Sequence, residues 1–460
     1  MTRAFSLGLT TGLVYFAGTL YWITNVMALY GGLPIVVAVL VNALLVVYQA
    51  LYPALFALVV RRLVLAFGAS ALIAVPFVWV ATELGRTHVF GGFPWVLLGY
   101  SQVTTIPIAQ LASVFGVYGV SALVTSVSAA AAGCVAVRFV RHRVQAISAV
   151  AVILIVTAVW GSWRAARAEW TREGQAVTVG LIQVNASEAQ RHDATESRRV
   201  FQDQVRMTRE AIGAGAGLVI WSESAMSPYR FGDSPEITGL VRRVAREARV
   251  PILVGSDQIA RGRPDKWYNA AFLVRADGAD GGVYRKMHLV PFGEYVPLGR
   301  LLFFVGPLVE AIGTGFAAGT EPTVLSVDGH RISVAICYEV VYPALVRQFV
   351  LGGSELLTTI TNDSWFGKTS APYQHFAQAS MRAIEEGRYL VRAANTGISG
   401  IVDPYGRVLG QSEIFEQRMI VGQARYLRTV TPYARWGDVF AYASAIVSAG
   451  LIVVARRRVQ

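Results

Sequence analysis

The chain has 460 residues, 54% of them hydrophobic and 15% charged, with a mean hydropathy of +0.47. That is too apolar for an ordinary soluble enzyme and points to a membrane part joined to one soluble domain. The net charge of +12 does not mark a nucleic-acid binder: no basic stripe interleaved with aromatics runs through the soluble part, and the arginines gather at the ends of apolar segments.

Ala4 to Leu29 is the first predicted span, since about 20 apolar residues cross a bilayer. It is too long for a signal peptide. Pro34–Val60 is the second, closed by Arg61 and Arg62, and Leu63–Ala81 is the third. A loop with Glu83, Arg86 and Gly92-Phe93-Pro94-Trp95 follows. Ile106–Val137 is the fourth span, ending in Arg138, Arg141 and Arg143, and Val144–Trp163 is the fifth. Val439–Ala455 is the sixth, followed by Arg456, Arg457 and Arg458. If six spans alternate, Arg3 and the three arginine groups share one side, which the positive-inside rule makes the cytoplasm. The Glu83–Trp95 loop and the region from about Arg164 to Asp438 then lie outside, with Arg164 and Arg167 as the local exception.

The outer region, about Thr178 to Arg428, reads as an α/β domain. Strands are predicted at Thr178–Val184, Leu218–Trp221, Ile252–Gly255, Ala270–Val274, Val283–Lys286, Ile332–Ile336, Leu356–Ile360, Tyr389–Ala393 and Ile398–Val402. Helices are predicted at Ser197–Ile212, Glu236–Ala248, Val340–Leu351 and Pro372 to about Gly387. Strands alternating with helices argue for a layered domain. Leu301-Leu302-Phe303-Phe304-Val305 is unusually apolar for an exposed loop; beside a membrane part it is expected to dip into lipid, with a buried loop or amphipathic helix within the domain as the alternative.

Three predicted strands end in reactive groups: Leu218–Trp221 in Glu223, Val283–Arg285 in Lys286, and Ile332–Ile336 in Cys337. Strand ends of a layered α/β domain converge on one rim. There a carboxylate can take a thiol proton, the thiolate can attack a carbonyl, and an ammonium can hold the oxyanion. Each residue alone has a plainer reading: a buried small thiol, a solvated strand-end charge, a surface lysine. Only three of the 41 basic residues are lysine, at 266, 286 and 368, and a chain so biased to arginine keeps lysine where the guanidinium fork will not serve. The helix predicted after Cys337 would favour its thiolate. The two cysteines make no disulfide framework, and the scattered histidines suggest no metal site.

Trp221-Ser222-Glu223, the block Tyr284–Pro297 (YRKMHLVPFGEYVP) and Ile336-Cys337-Tyr338-Glu339 resemble the three catalytic motifs of the nitrilase, or carbon–nitrogen hydrolase, superfamily. Thr361–Lys368 (TNDSWFGK), Tyr373-Gln374-His375, Gly92–Trp95, Gly99–Gln102 and Thr431–Arg435 are similar to its membrane-bound branch, the apolipoprotein N-acyltransferase family. The resemblance covers nearly the whole chain. It implies a multispan α-helical membrane domain over 1–165, an extracytoplasmic nitrilase-like αββα sandwich over 174–430, and a last helix with a basic cytoplasmic tail over 436–460. The family has eight spans against six here. Residue 4 onward resembles its third, so the first two are the pair expected to be missing, which leaves the orientation unchanged. Ser222 stands where the family often has proline.

Carried over residue by residue, the resemblance implies Glu223 as general base, Lys286 as oxyanion stabiliser and Cys337 as nucleophile. Glu294 would position the site, Tyr338 and Glu339 would flank the nucleophile, and the Tyr338 N–H would be a second oxyanion donor. Trp221 and Trp365 would line the acyl entrance, and Asn362 would cap a turn. The implied reaction moves an acyl chain from a phospholipid, through a Cys337 thioester, to the amine of a diacylglyceryl-cysteine apolipoprotein. It needs no cofactor and no nucleic acid, and is expected of a monomer in a bacterial inner membrane. A membrane-tethered amidase using water as second nucleophile, and an inactive scaffold, are the competing readings.

Overall fold

The computed structural model describes residues 1–136, 140–260, 263–291, 293–295 and 315–459. They form two compact units, one of Met1–Asn25, Leu33–Ala168 and Thr431–Gln460, the other of Val26–Gly32 and Glu169–Val430.

The first unit is helical. Helices α1 (Thr2–Leu20) and α2 (Trp22–Leu29) meet at a 50° bend. α3 (Ile35–Phe67) ends at Gly68, and a 3₁₀ turn over Gly68–Ala74 leads into α4 (Val75–His88), which packs against α3. A short α5 (Ile106–Ala109), then α6 (Ala112–Ala136) and α7 (Val140–Arg167), complete the run before the second unit. α1 lies close on α3: a Cβ added at Gly12 would stand 2.7 Å from the Ala50 Cα, so only glycine permits this approach. Hydroxyls on these helices bond back to their own carbonyls, as Thr11 does to Leu7 and Thr19 to Tyr15, which satisfies them without water. Large apolar side chains remain outward, among them Val152, Ile153, Ile155, Val156 and Val159 on α7, as expected of a surface solvated by lipid.

Against the six spans expected, one apolar run, Ile35–Gly91, holds both α3 and α4, which pack on each other. Four helical runs are long and apolar enough to cross a membrane, five if α1 and α2 form one span, among the described residues. Arg61 and Arg62 do not end a helix; α3 continues through them to Phe67, so the predicted third span is divided between α3, the 3₁₀ turn and α4. Glu83 and Arg86, expected in a loop, are buried on α4. Arg86 donates to the Trp95 and Val96 carbonyls, and Glu83 accepts from the Leu98 N–H, so this pair holds the Gly92–Gln102 segment in place.

The second unit has two six-stranded sheets. The first contains β1 (Gln175–Gln183), β2 (Leu218–Trp221), β3 (Ile252–Ala260), β4 (Arg263–Val274), β5 (Asp280–Arg285) and, beside β1, β12 (Arg418–Tyr426). The second runs β6 (Val324–Val327), β7 (His330–Ile336), β8 (Leu356–Thr361), β9 (Leu390–Ala394), β10 (Gly400–Val402) and β11 (Val408–Gln411). A short α8 (Glu188–His192) precedes α9 (Ala194–Gly213), which with α10 (Pro235–Ala248) packs on the first sheet. α11 (Pro343–Leu351) and α12 (Ala371–Glu386) pack on the second. The inner faces of the sheets meet, β1 and β2 against β9 and β4 against β7. This is the αββα sandwich expected. Strands covered on both faces read as continuous apolar runs, which is why β2, β7 and β8 are legible in the sequence. The chain then enters α13 (Pro432–Trp436) and α14 (Val439–Val459) of the first unit. Leu301–Val305, expected to dip into lipid, lies outside the described residues.

Candidate active site

β1, β2 and β3 are parallel, as are β7, β8 and β9. Their carboxyl ends therefore share a rim, with Glu223 two residues past β2, Cys337 one past β7 and Asn362 one past β8. β5 runs antiparallel to β4, and Lys286 follows its last residue, with its N–H bonded to the Asn269 carbonyl on β4. Gly255 on β3 makes room for the β2 end: a Cβ there would meet the Ser222 carbonyl and stand 2.9 Å from the Glu223 Cα.

The charged groups form a closed network. Lys286 Nζ lies 2.8 Å from Glu294 Oε1 and 3.5 Å from Glu223 Oε1, and the lysine is 1% exposed. The Asn269 amide donates to Glu223 Oε1 at 2.6 Å and to Glu294 Oε1 at 3.2 Å. Glu223 Oε2 accepts the Asn362 N–H at 2.7 Å, and Glu294 Oε2 accepts the Val290 N–H at 2.8 Å. Burial alone would lower the Lys286 pKa, but the charges of Glu294 and Glu223 outweigh it and hold it above its ordinary value. The lysine is a fixed cation.

Cys337 is buried and takes a left-handed backbone with φ of 52°. A non-glycine residue there stores roughly 1–3 kcal/mol of strain. The chain curls through a 3₁₀ turn, Cys337–Val341, closed by Glu339 Oε2 accepting the Ile336 N–H at 2.7 Å. The α-helix starts only at Pro343, because proline with its fixed φ and missing N–H suits a first turn. The predicted helical segment from Val340 is corrected to that extent. So is the expected thiolate: burial first, then the Glu223 charge, pushes the Cys337 thiol well above its ordinary pKa, and Lys286 only partly opposes them. The resting group is a thiol that needs a base.

Glu339 joins two motifs. Its Oε1 accepts from the Tyr284 hydroxyl at 2.7 Å and from the Met287 and His288 N–H groups at 2.6 and 3.1 Å. It thus ties the segment after Lys286 to the turn after Cys337. Burial pushes its carboxyl up to about 7. Tyr338 is buried beside Cys337, its hydroxyl accepting from Tyr342 at 3.0 Å. Asn362 caps the turn Asp363–Phe366, as expected, through Oδ1 to Ser364.

Of the two tryptophans expected at an acyl entrance, one is misplaced. Trp221 is 1% exposed, packed edge-on against Phe201, and donates its indole N–H to Thr208 at 2.9 Å. It is a core residue of the first sheet, because odd and even positions of a strand face opposite ways and position 221 faces α9. Trp365 is 40% exposed, edge-on to Tyr30. Sequence reasoning missed Asn269. Its signal was a lone amide inside the run Trp267–Val274, since a polar side chain in a buried strand must find partners.

A buried carboxylate–lysine–carboxylate set beside a strained cysteine, on the rim of an αββα sandwich, defines a carbon–nitrogen hydrolase fold. The family model described as carbon-nitrogen hydrolase matches residues 178–430, and the one described as apolipoprotein N-acyltransferase N-terminal domain matches residues 1–130. The chain is 40% identical to the apolipoprotein N-acyltransferase of Geobacter metallireducens over 99% of its length and 88% of that protein. It is 34% identical to that of Methylococcus capsulatus over the same shares. Among solved structures, a carbon-nitrogen hydrolase from Helicobacter pylori aligns at 17% identity and a TM-score of 0.44, covering 58% of this chain and 94% of that one. The chain belongs to the apolipoprotein N-acyltransferase family, a membrane-bound group of enzymes.

Proposed function

We propose that the protein transfers an acyl chain from a phospholipid to the α-amine of an N-terminal diacylglyceryl-cysteine, through a thioester on Cys337. The observation that carries this reading is the buried Lys286 between Glu223 and Glu294 on the rim that also presents Cys337. Glu223 takes the thiol proton, so negative charge passes from carboxylate to sulfur while the site's net charge stays constant. The thiolate attacks the acyl ester carbon. Lys286 stabilises the oxyanion, with the Tyr338 N–H as second donor. The tetrahedral intermediate collapses, the carbon–oxygen bond breaks, and the leaving lysophospholipid oxygen takes the proton from Glu223. The neutral lipoprotein amine then attacks the thioester carbon, Glu223 accepts an amine proton, the carbon–sulfur bond breaks to leave the amide, and the departing sulfur takes that proton back from Glu223 as the thiol. One site serves two lipids in turn, which is a ping-pong scheme.

The half-exposed Trp365 is assigned to the way in for acyl chains. Arg141 and Arg143 at the start of α7, Arg456, Arg457 and Arg458 at the end of α14, and Arg61 and Arg62 in the last third of α3 support a catalytic domain on the outer side of a bacterial inner membrane. The test is to incubate the purified full chain with phosphatidylethanolamine and a diacylated lipopeptide. N-acylated peptide is expected, with a trapped acyl-enzyme that Cys337→Ala abolishes. Amide hydrolysis without transfer would favour the amidase, and a persisting acyl-enzyme in Cys337→Ala would remove Cys337 as nucleophile.

A further inference from the structure

We propose that His375 is a positioning residue for the nucleophile: its Nε2–H holds the Cys337 carbonyl and so fixes the left-handed turn that presents the thiol and the Tyr338 N–H. The proposal rests on reading Cys337 as the nucleophile.

His375 lies on α12 and is wholly buried. Its Nε2 stands 3.1 Å from the Cys337 carbonyl oxygen. A carbonyl only accepts, so Nε2 carries a hydrogen whatever the ring's protonation state. Nδ1 lies 2.9 Å from Arg392 Nη2 and 3.1 Å from Asp363 Oδ1. A guanidinium only donates, so the Arg392 contact calls for a lone pair on Nδ1, while the Asp363 carboxylate only accepts and would take a hydrogen from the same atom; the Nε2 hydrogen is present in either form. Burial, and then the Arg392 charge, lower the His375 pKa, which agrees with a neutral ring hydrogenated at Nε2.

The ring is held from behind on rigid elements. Arg392, on β9, pairs with Asp363 Oδ2 at 3.0 Å, and its Nε donates to the Ile398 carbonyl. Thr361, at the end of β8, donates to Asp363 Oδ1 at 2.7 Å. Asp363, His375 and Arg392 are each 0% exposed. Burial alone would raise the Asp363 carboxyl, but the Arg392 charge holds it well below its ordinary range. A chain of hydrogen bonds therefore runs from two central strands and one helix to a single carbonyl, that of the strained Cys337. No step of the acyl transfer needs a proton from His375, so its role is geometric. Groups that lock a reacting residue in this way act on the chemical step more than on substrate affinity.

The test compares His375→Leu, His375→Gln and wild type in the full-length protein in detergent, with a fluorescent phospholipid as acyl donor. The leucine variant should form the acyl-enzyme about 100-fold more slowly, the scale of a displacement near 1 Å, with the donor KM within about twofold. Glutamine can present an N–H to the same carbonyl and should recover to within about tenfold of wild type. If leucine fails to fold, His375→Asn replaces it: asparagine is too short to reach, so glutamine should exceed it. A folded leucine variant acylating at the wild-type rate overturns the proposal, as does glutamine no better than leucine or asparagine. No acyl-enzyme on wild type, or one on Cys337→Ala, sinks the nucleophile reading instead and is a separate result.

Discussion

The Asn269 amide donates to Glu223 Oε1 at 2.6 Å, and the same nitrogen reaches Glu294. One uncharged side chain thus spaces a buried carboxylate, Glu223, and a partly buried one, Glu294, around one lysine. Asn269→Leu should leave Glu223 free to swing fully onto Lys286, and the base would then point away from the thiol. A fall in kcat of about 10–100-fold is expected, with KM nearly unchanged. Asn269→Asp should fare worse, because a third carboxylate enters a buried site with one cation. Steady-state acylation of a lipopeptide checks both, and equal activity of the two variants would contradict this role.

Lys286→Arg tests why lysine is kept in a chain of arginines. The ammonium sits as a point charge between two carboxylates and is almost wholly buried. A planar fork would pair with Glu223 or Glu294 in a bidentate manner and leave the oxyanion position. Loss of acyl-enzyme formation by about 10²–10³-fold is expected, the scale of losing one oxyanion donor. Activity within tenfold of wild type would show that any cation suffices.

The sandwich was legible because its central strands are covered on both faces and so carry unbroken apolar runs. β6, β11 and β12 were not anticipated: Val408 and Leu409 are exposed, and β12 is half-buried with Arg418 and Arg425 breaking any run. Glu223, Lys286 and Cys337 were legible as reactive groups just past strand ends. Their electrostatics were not, since the Cys337 thiol answers to burial and to a carboxylate 114 positions away in sequence (337 − 223). Trp221 was misassigned because an aromatic beside a catalytic motif looks the same in sequence whether it faces the site or α9. Arg61 and Arg62 misled for a related reason: long cationic side chains can extend toward polar surroundings while the helix that bears them continues.

The corrected place of Trp221 has a direct consequence. Trp221→Phe keeps the ring against Phe201 but leaves Thr208 without the indole donor. Stability should fall by about 1 kcal/mol, the worth of one buried hydrogen bond. The preference among phospholipids of different acyl length should not move. A shifted preference in a competition assay would return Trp221 to the acyl path.

His288 makes the site sensitive to acid. Its ring packs 3.8 Å from that of Tyr342, and its neighbour in charge is Lys286. Burial first, and the Lys286 charge second, lower its pKa from 6.5 to about 4. The neutral ring is therefore favoured in the fold. Above pH 6.5 neither folded nor unfolded chain binds the proton, and the stabilisation is fully present. As pH falls from 6.5 toward 4 the unfolded chain takes a proton that the folded chain refuses, so stability is lost across that window. The loss should reach about 2 kcal/mol by pH 5 at 1.4 kcal/mol per pH unit. His288→Gln removes the titrating group and keeps a side chain of similar reach. Thermal unfolding in detergent should show wild type losing several degrees more than the variant between pH 7 and pH 5. Parallel losses would mean that His288 protonates as easily in the fold as outside it, and that Lys286 does not carry its full charge there.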